Sequence, residues 1–225
     1  MIELPDRELV SGSCPLCRRE AAHLYYRDKF REYLQCTCCA LVFVPERFHL
    51  SPAEEKAYYD LHENSLADEG YARFLNRCAD PLLARLTPDS AGLDFGCGPA
   101  PLLAQIMERA GHRMTTYDFF YQPDTSVLAR EFDFIVSTEV VEHLSAPGEV
   151  LERLWARLRP GGVLALMTKL VATPERFGNW HYIRDPTHIV FFSEATFRWL
   201  ARELGAGLTF HGADVIFLEK PKVGR

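Results

Sequence analysis

The segment Leu93-Asp94-Phe95-Gly96-Cys97-Gly98-Pro99 constrains the fold more than any other stretch, because it reads as a buried strand running into a glycine turn that opens a helix. Gly96 and Gly98 permit backbone geometry closed to other residues, so a ligand can approach the main chain closely at a helix N-terminus. Asp94 supplies a carboxylate beside that approach. A lone GxG also marks ordinary turns, so its meaning depends on its surroundings.

From about residue 90 strand and helix alternate. Leu93–Phe95 is a strand and Leu102–Arg109 its helix, ending at Gly111, and Met114–Tyr117 makes a second strand with Asp118 directly after it. Phe132–Ser137 reads as another buried strand, a helix runs to about Leu158, and Gly161-Gly162 turns into Val163–Met167. Glu194–Leu204 is the last clear helix, and Leu208–Phe210 with Val215–Leu218 reads as a terminal hairpin. This alternation predicts a parallel sheet with helices on both faces. A chain of 225 residues, 48% of them hydrophobic, can bury one good core and has length left for a small appendage.

The appendage lies at the N-terminus. Cys14-Pro15-Leu16-Cys17 and Cys36-Thr37-Cys38-Cys39 form two CxxC pairs separated by 18 residues, the spacing of a four-thiolate zinc ribbon. A tetrahedral ion there replaces the core that so short a segment, 1–50, cannot build. Pairing Cys36 with Cys39 keeps the CxxC spacing and leaves Cys38 spare, while Cys78 and Cys97 have no partner pair. Met1–Asp6 lacks the basic and apolar regions of a signal peptide, and no apolar run reaches about 18 residues. The expectation is a cytoplasmic protein without a membrane partner, whose cysteines serve as metal ligands or buried thiols rather than disulfides.

Between the cysteine pairs, Arg18-Arg19 and Tyr25-Tyr26-Arg27-Asp28-Lys29-Phe30-Arg31 read either as a solvated hairpin or as a basic, aromatic surface able to stack on RNA bases. A formal net charge of −6 argues against broad phosphate-driven binding of long nucleic acid. Ser51-Pro52-Ala53-Glu54 opens a helix with a cap, a first-turn proline and a capping-box glutamate, and helical spacing follows through Tyr58 and Leu61. A second helical stretch, about 66–86, is predicted to be interrupted by Pro81. Residues 51–88 therefore read as a helical linker or lid, and 89–225 as the main unit.

A dinucleotide fingerprint would need a third glycine at position 101, where the chain has Pro101. The main unit instead resembles class I S-adenosylmethionine-dependent methyltransferases. The matching residues are Leu93–Gly98 as the glycine motif, Asp118 as the acid after the second strand, Phe132-Asp133-Phe134-Ile135-Val136 as the middle strand, and Arg159-Pro160-Gly161-Gly162-Val163-Leu164 before the next. The resemblance implies an α/β fold with a Rossmann-like, mostly parallel sheet ending in an antiparallel hairpin. It implies S-adenosylmethionine as cofactor, held by Asp94, Gly96, Cys97, Gly98, Asp118, Phe119 and Thr138, with Asp118 accepting from the ribose hydroxyls. Such enzymes usually place a helix, a third strand and another helix between the ribose acid and the middle strand. Here Phe119–Glu131 is too short for all three. The third-strand region must be shortened, with the adenine walled by Phe119, Phe120 or Tyr121.

Ser137-Thr138-Glu139-Val140-Val141-Glu142-His143 leaves the middle strand and is expected to enter a helix, with Glu139, Glu142 and His143 on one face. Two carboxylates and an imidazole there could hold Mg²⁺, Mn²⁺ or Zn²⁺. The same ExxEH occurs in two methyltransferase groups that this region resembles, those of ubiquinone biosynthesis and those that 2′-O-methylate small-RNA 3′ ends. Both also use a distal histidine, which the resemblance places at His188 within Asp185–Ser193. A metal would polarise an acceptor hydroxyl, whereas without one His143 or His188 could act as general base. Alternatively Glu139 and Glu142 favour a helix N-terminus and His188 packs. No NPPY- or DPPY-like sequence, the signature that accompanies exocyclic amine methylation, follows the middle strand, so oxygen is favoured. Trp180-His181-Tyr182 fits an acceptor wall or a core. The expected function is O-methylation of a small molecule. Its alternatives are an RNA methyltransferase docked by the ribbon, a non-catalytic zinc-ribbon adaptor and a nicotinamide-dependent oxidoreductase.

Overall fold

The N-terminal strands are short and borrow their last partner from far along the chain. The computed structural model describes residues 9–10, 12–61, 68–171 and 173–222; the Met1–Asp6 reading and the first residues of the 66–86 helix lie outside them. Leu9–Val10 (β1), Ala22–Arg27 (β2), Glu32–Cys36 (β3) and Val42–Phe43 (β4) pair antiparallel in that order. Asp28 closes the β2–β3 turn, its Oδ1 accepting the backbone N–H groups of Phe30 and Arg31, both at 2.7 Å.

Ser51 and Glu54 form the expected capping box at the start of Pro52–Tyr59 (α1). Asp68 caps Glu69–Leu83 (α2). Pro81 does not interrupt this helix, contrary to the expectation. It falls in the last turn, where the missing N–H costs a single bond.

The main unit follows as Ala91–Phe95 (β5), Leu102–Arg109 (α3), Arg113–Tyr117 (β6), Phe132–Thr138 (β7), Pro147–Arg157 (α4), Leu158–Met167 (β8), Pro174–Phe177 (α5), Val190–Phe191 (β9), Glu194–Leu204 (α6), Gly207–His211 (β10) and Val215–Glu219 (β11). The central sheet has the order β10-β11-β8-β7-β5-β6. Neighbours among β6, β5, β7 and β8 are parallel, while β11 and β10 form the antiparallel terminal hairpin. Beyond the edge strand β6, Phe119–Glu131 carries no further strand. It makes a turn in which Asp118 and Gln122 exchange backbone bonds at 3.1 Å, then a 3₁₀ turn at Thr125–Ala129.

Alternate residues of the sheet bury on opposite faces, as the period of a strand requires. Phe134, Val136, Ala165 and Met167 pack with Leu75 and Leu82 of α2 and Leu102 and Met107 of α3. Ile135, Leu164 and Leu166 pack with Leu151 and Leu154 of α4 and Phe197 and Leu200 of α6. Each fully buried side chain of this kind contributes about 1.5–3 kcal/mol.

The N-terminal strands are sewn into this core. β4 pairs antiparallel with β9, Val42 opposite Phe191 and Phe43 opposite Val190, and the Val44 N–H donates to Ile189 O at 2.8 Å. At the first cysteine pair, Gly148 of α4 donates its N–H to Pro15 O at 3.2 Å. A Cβ at Gly148 would lie 2.2 Å from Leu16 O, so glycine is what lets the two backbones touch.

Candidate active site

At the C-terminal end of β5 the chain turns through Gly96 at φ +80° and Gly98 at φ +66°. The Gly96 and Cys97 amides donate to Tyr117 O at 2.8 and 3.2 Å, and the Gly98 amide donates to Asp118 Oδ2 at 2.9 Å. Oδ1 of Asp118 accepts the amides of Phe120 and Tyr121 at 2.8 and 3.0 Å. Asp118 is thus engaged with three amides, and of the roughly four acceptor directions of a carboxylate about one remains for a ligand. Among the described residues a Cβ at Gly98 would meet nothing within 4 Å; the turn leaves open space there.

That space belongs to a cavity of about 1030 Å³. Of the residues expected at the cofactor, Gly96, Cys97, Gly98, Asp118, Phe119 and Thr138 line it, as do Phe120 and Tyr121. Asp94 does not. It is 2% exposed behind the turn, and burial pushes its carboxyl up to about 7, against a hydrogen bond from the Ala104 backbone. The Tyr121 hydroxyl donates to Asp60 Oδ1 at 2.7 Å, which ties the chain just after α1 to the cavity's edge.

Residues 139–143 depart from expectation. No α-helix starts there: Glu139 has φ +52°, and Val141–His143 makes one 3₁₀ turn before α4 begins at Pro147. Tertiary bonds override the helical spacing, since the Glu139 N–H donates to Met167 O at 2.8 Å and Glu142 O accepts from Ile189 at 2.9 Å. The turn still brings Glu142 and His143 to His188, and one ligand atom of each lies within 4.8 Å of the others. Glu139 stays outside this trio, on the cavity wall.

Both imidazoles are oriented by backbone carbonyls. His188 Nδ1 lies 2.7 Å from Tyr182 O and His143 Nδ1 lies 3.1 Å from Thr187 O. A carbonyl can only accept, so Nδ1 is assigned the proton and each neutral ring keeps its lone pair on Nε2. Burial lowers the His188 pKa, favouring that neutral form. Glu142 is fully buried; its Oε1 accepts from the Tyr182 hydroxyl, and its Oε2 has no hydrogen-bond partner among the described residues. Tyr182 also reaches Glu139 Oε2 at 3.4 Å and Thr168 Oγ1 at 3.2 Å. Burial raises the pKa of both glutamates, the charge of Glu139 adding to the effect on Glu142. The bridging role of Tyr182 has no spacing signature; in sequence Trp180-His181-Tyr182 reads as an acceptor wall or a core, and neither names a partner for the hydroxyl.

At the ribbon, Cys14, Cys17, Cys36 and Cys39 cluster, with Sγ–Sγ separations of 3.5 Å for Cys14–Cys39 and 3.4 Å for Cys17–Cys36. Tetrahedral Zn–S bonds of ~2.3 Å set sulfurs ~3.8 Å apart, so the four thiols fit such an ion. Cys38 stands outside the cluster, its backbone N–H directed at Cys36 Sγ at 3.4 Å.

A family model described as a methyltransferase domain matches residues 64–209. The chain is 30% identical over 90 residues to a ubiquinone biosynthesis O-methyltransferase of Actinobacillus pleuropneumoniae serotype 7, covering 38% of each chain. It is 30% identical over 134 residues to a malonyl-[acyl-carrier protein] O-methyltransferase of Enterobacter lignolyticus, covering 50% of this chain and 53% of the relative. The match therefore spans about half or less of those relatives' own length. Among solved structures, 1,6-didemethyltoxoflavin-N1-methyltransferase of Burkholderia thailandensis, with bound S-adenosylhomocysteine, superposes with a TM-score of 0.52 at 18% identity, over 90% of this chain and 100% of that one. At that identity the likeness concerns the fold.

Proposed function

The chain belongs to the methyltransferase domain family and is a class I S-adenosylmethionine-dependent methyltransferase; on that premise we propose that it methylates a hydroxyl oxygen of a small-molecule acceptor, assisted by a divalent ion at Glu142, His143 and His188. The observation that carries this reading is that the glycine turn opens on the same cavity as His143 and His188. When bound, the cofactor supplies an activated methyl group. Gly96 and Gly98 leave it room, the remaining acceptor direction of Asp118 suits a ribose hydroxyl, and Phe119, Phe120 and Tyr121 stand where an adenine wall is needed.

At the acceptor end, one carboxylate with two imidazoles suits Zn²⁺ or Mn²⁺ better than Mg²⁺. The unpartnered Glu142 Oε2 favours occupancy, since a buried acceptor without a partner costs about 1–3 kcal/mol that a ligand bond would relieve. Such an ion supplies polarisation of the acceptor hydroxyl. In its absence, Nε2 of His143 or His188 is the atom able to take the hydroxyl proton. The four ribbon thiols would hold a structural Zn²⁺.

In this reading 1–50 is the zinc ribbon, 51–88 the linker and 89–225 the catalytic unit, in the cytoplasm. Among the described residues no helix is long and apolar enough to cross a membrane. The RNA-docking alternative loses one of its bases, since Arg31 is buried, while Arg27, paired with Glu32 at 2.5 Å, stays exposed. Membership of the family disfavours both the adaptor and the oxidoreductase.

The test is to incubate the protein and a cell extract with methyl-labelled S-adenosylmethionine and identify the labelled product by mass spectrometry. Label in an O-methyl group of a small molecule is the expected result. Label in RNA, or on nitrogen, would sink this reading.

A further inference from the structure

Arg31 is 8% exposed, and all five of its N–H donors are used. Nε donates to the Tyr33 hydroxyl at 2.8 Å. Nη1 donates to Pro186 O and His188 O at 3.2 and 3.0 Å, and Nη2 to Ile183 O and Asp185 O at 2.7 and 2.9 Å. A single ribbon side chain thus gathers four carbonyls of one loop more than 150 residues away in sequence. Among the described residues its charge meets no carboxylate directly; Asp28 stands one hydroxyl away, accepting from Tyr33 at 3.0 Å.

That loop orients all three members of the trio. The Tyr182 carbonyl, at its start, holds the His188 ring, the Thr187 carbonyl holds the His143 ring, and the Tyr182 hydroxyl holds Glu142. We propose that Arg31 is a positioning residue: by clamping the backbone of 183–188 it fixes the tautomer and direction of His143 and His188. The ribbon is then part of the acceptor site rather than a module beside it. The use made of those two rings rests on the proposed function; their geometry does not.

Lysine at this position would keep the charge but has three donors on a single nitrogen and cannot span the fork of four carbonyls and a hydroxyl. Methionine would remove every donor. The difference is readable without an acceptor, because the side-chain tautomer of a neutral histidine is visible in two-bond ¹H–¹⁵N correlation spectra. The full chain, labelled with ¹⁵N-histidine, would be compared as wild type, Arg31→Lys and Arg31→Met above about pH 8, where an ordinary imidazole is neutral. His143→Gln and His188→Gln spectra assign the signals, and cooperative thermal melting checks folding.

In the wild type both rings are expected as the Nδ1–H tautomer. Arg31→Met is expected to lose that signature at both, and Arg31→Lys to give mixed tautomers. Retention of Nδ1–H at both rings in a folded Arg31→Met chain would overturn the proposal, as would an Nε2–H ring at wild-type His188. Unfolding of both variants would assign Arg31 to the fold as a whole and overturn it too. Titration of the wild type with S-adenosylhomocysteine keeps the two readings apart, since absence of binding would remove the proposed function and leave the tautomer result standing.

Discussion

Asp118 Oδ2 accepts the Gly98 amide at 2.9 Å, tying the end of β6 to the turn that leaves β5. The same carboxylate holds Phe120 and Tyr121 through Oδ1, so it shapes both the glycine turn and the aromatic wall. Asp118→Ala removes the two oxygens that accept three charge-assisted bonds, each worth about 1.5–3 kcal/mol. The melting temperature should fall and S-adenosylhomocysteine affinity should drop more than about tenfold by calorimetry, tenfold being 1.4 kcal/mol. Asp118→Asn keeps an oxygen for Phe120 and Tyr121 but presents an NH₂ to the Gly98 N–H. Much of the stability should therefore return while cofactor affinity stays low.

The two glycines of the turn should fail differently. A methyl at Gly96 would lie 2.4 Å from Val140 Cγ2, in a left-handed backbone at φ +80°. Gly96→Ala combines left-handed strain with overpacking, a loss on the order of 3 kcal/mol in denaturant unfolding. Gly98→Ala keeps the strain without the clash, about 1–2 kcal/mol. Its methyl enters the open cradle, so cofactor affinity should suffer more than stability. Equal stability losses in the two variants would contradict this assignment.

Asp94 makes stability depend on pH in the direction opposite to a salt-bridged carboxylate. Its folded-state value of about 7 lies above the ordinary 3.8 because the group is buried. The folded chain therefore holds the proton more tightly than the unfolded one. The stability contributed by this group is full below about pH 4 and is lost as pH rises through about 7. Asp94→Asn cannot titrate, so its stability relative to wild type should climb over that window, by at most about 4 kcal/mol at 1.36 kcal/mol per unit. Glu139 and Glu142 are present in both proteins and largely cancel in the difference. A stability difference that stays flat from pH 4 to 8 would show that Asp94 is not held protonated.

Much of the fold was legible because its signals are local. The Gly96 and Gly98 turn, the buried strands and the short Phe119–Glu131 connection each depend on neighbours in sequence, and the CxxC pairs carry their own spacing. Pro81 misled because its cost depends on distance from a helix end that sequence places poorly. The ExxEH segment misled for a deeper reason. Its spacing suits a helical face, yet Met167 and Ile189 capture the backbone of Glu139 and Glu142, and such partners leave no periodic trace. Arg31 reads in sequence as a surface base for the same reason: carbonyl acceptors belong to every residue, so nothing in 183–188 announces that a guanidinium is needed there.

The choice between metal assistance and base catalysis can be made on the trio itself. If Glu142, His143 and His188 hold an ion, Glu142→Ala and chelation mild enough to spare the four ribbon thiols should each abolish transfer in the labelled-extract assay. Metal analysis should then fall from two equivalents per chain to one. Tyr182→Phe removes the hydroxyl that orients Glu142 while leaving the three ligands in place. Loss of such a supporting hydrogen bond lowers metal affinity roughly 10–100-fold, so added Zn²⁺ or Mn²⁺ should restore this variant and not Glu142→Ala. If instead both Glu142→Ala and the chelated protein keep full activity, no ion acts there. The proton then passes to Nε2 of a histidine, and His143→Gln and His188→Gln identify which ring receives it by which of them removes the acid limb of the pH profile.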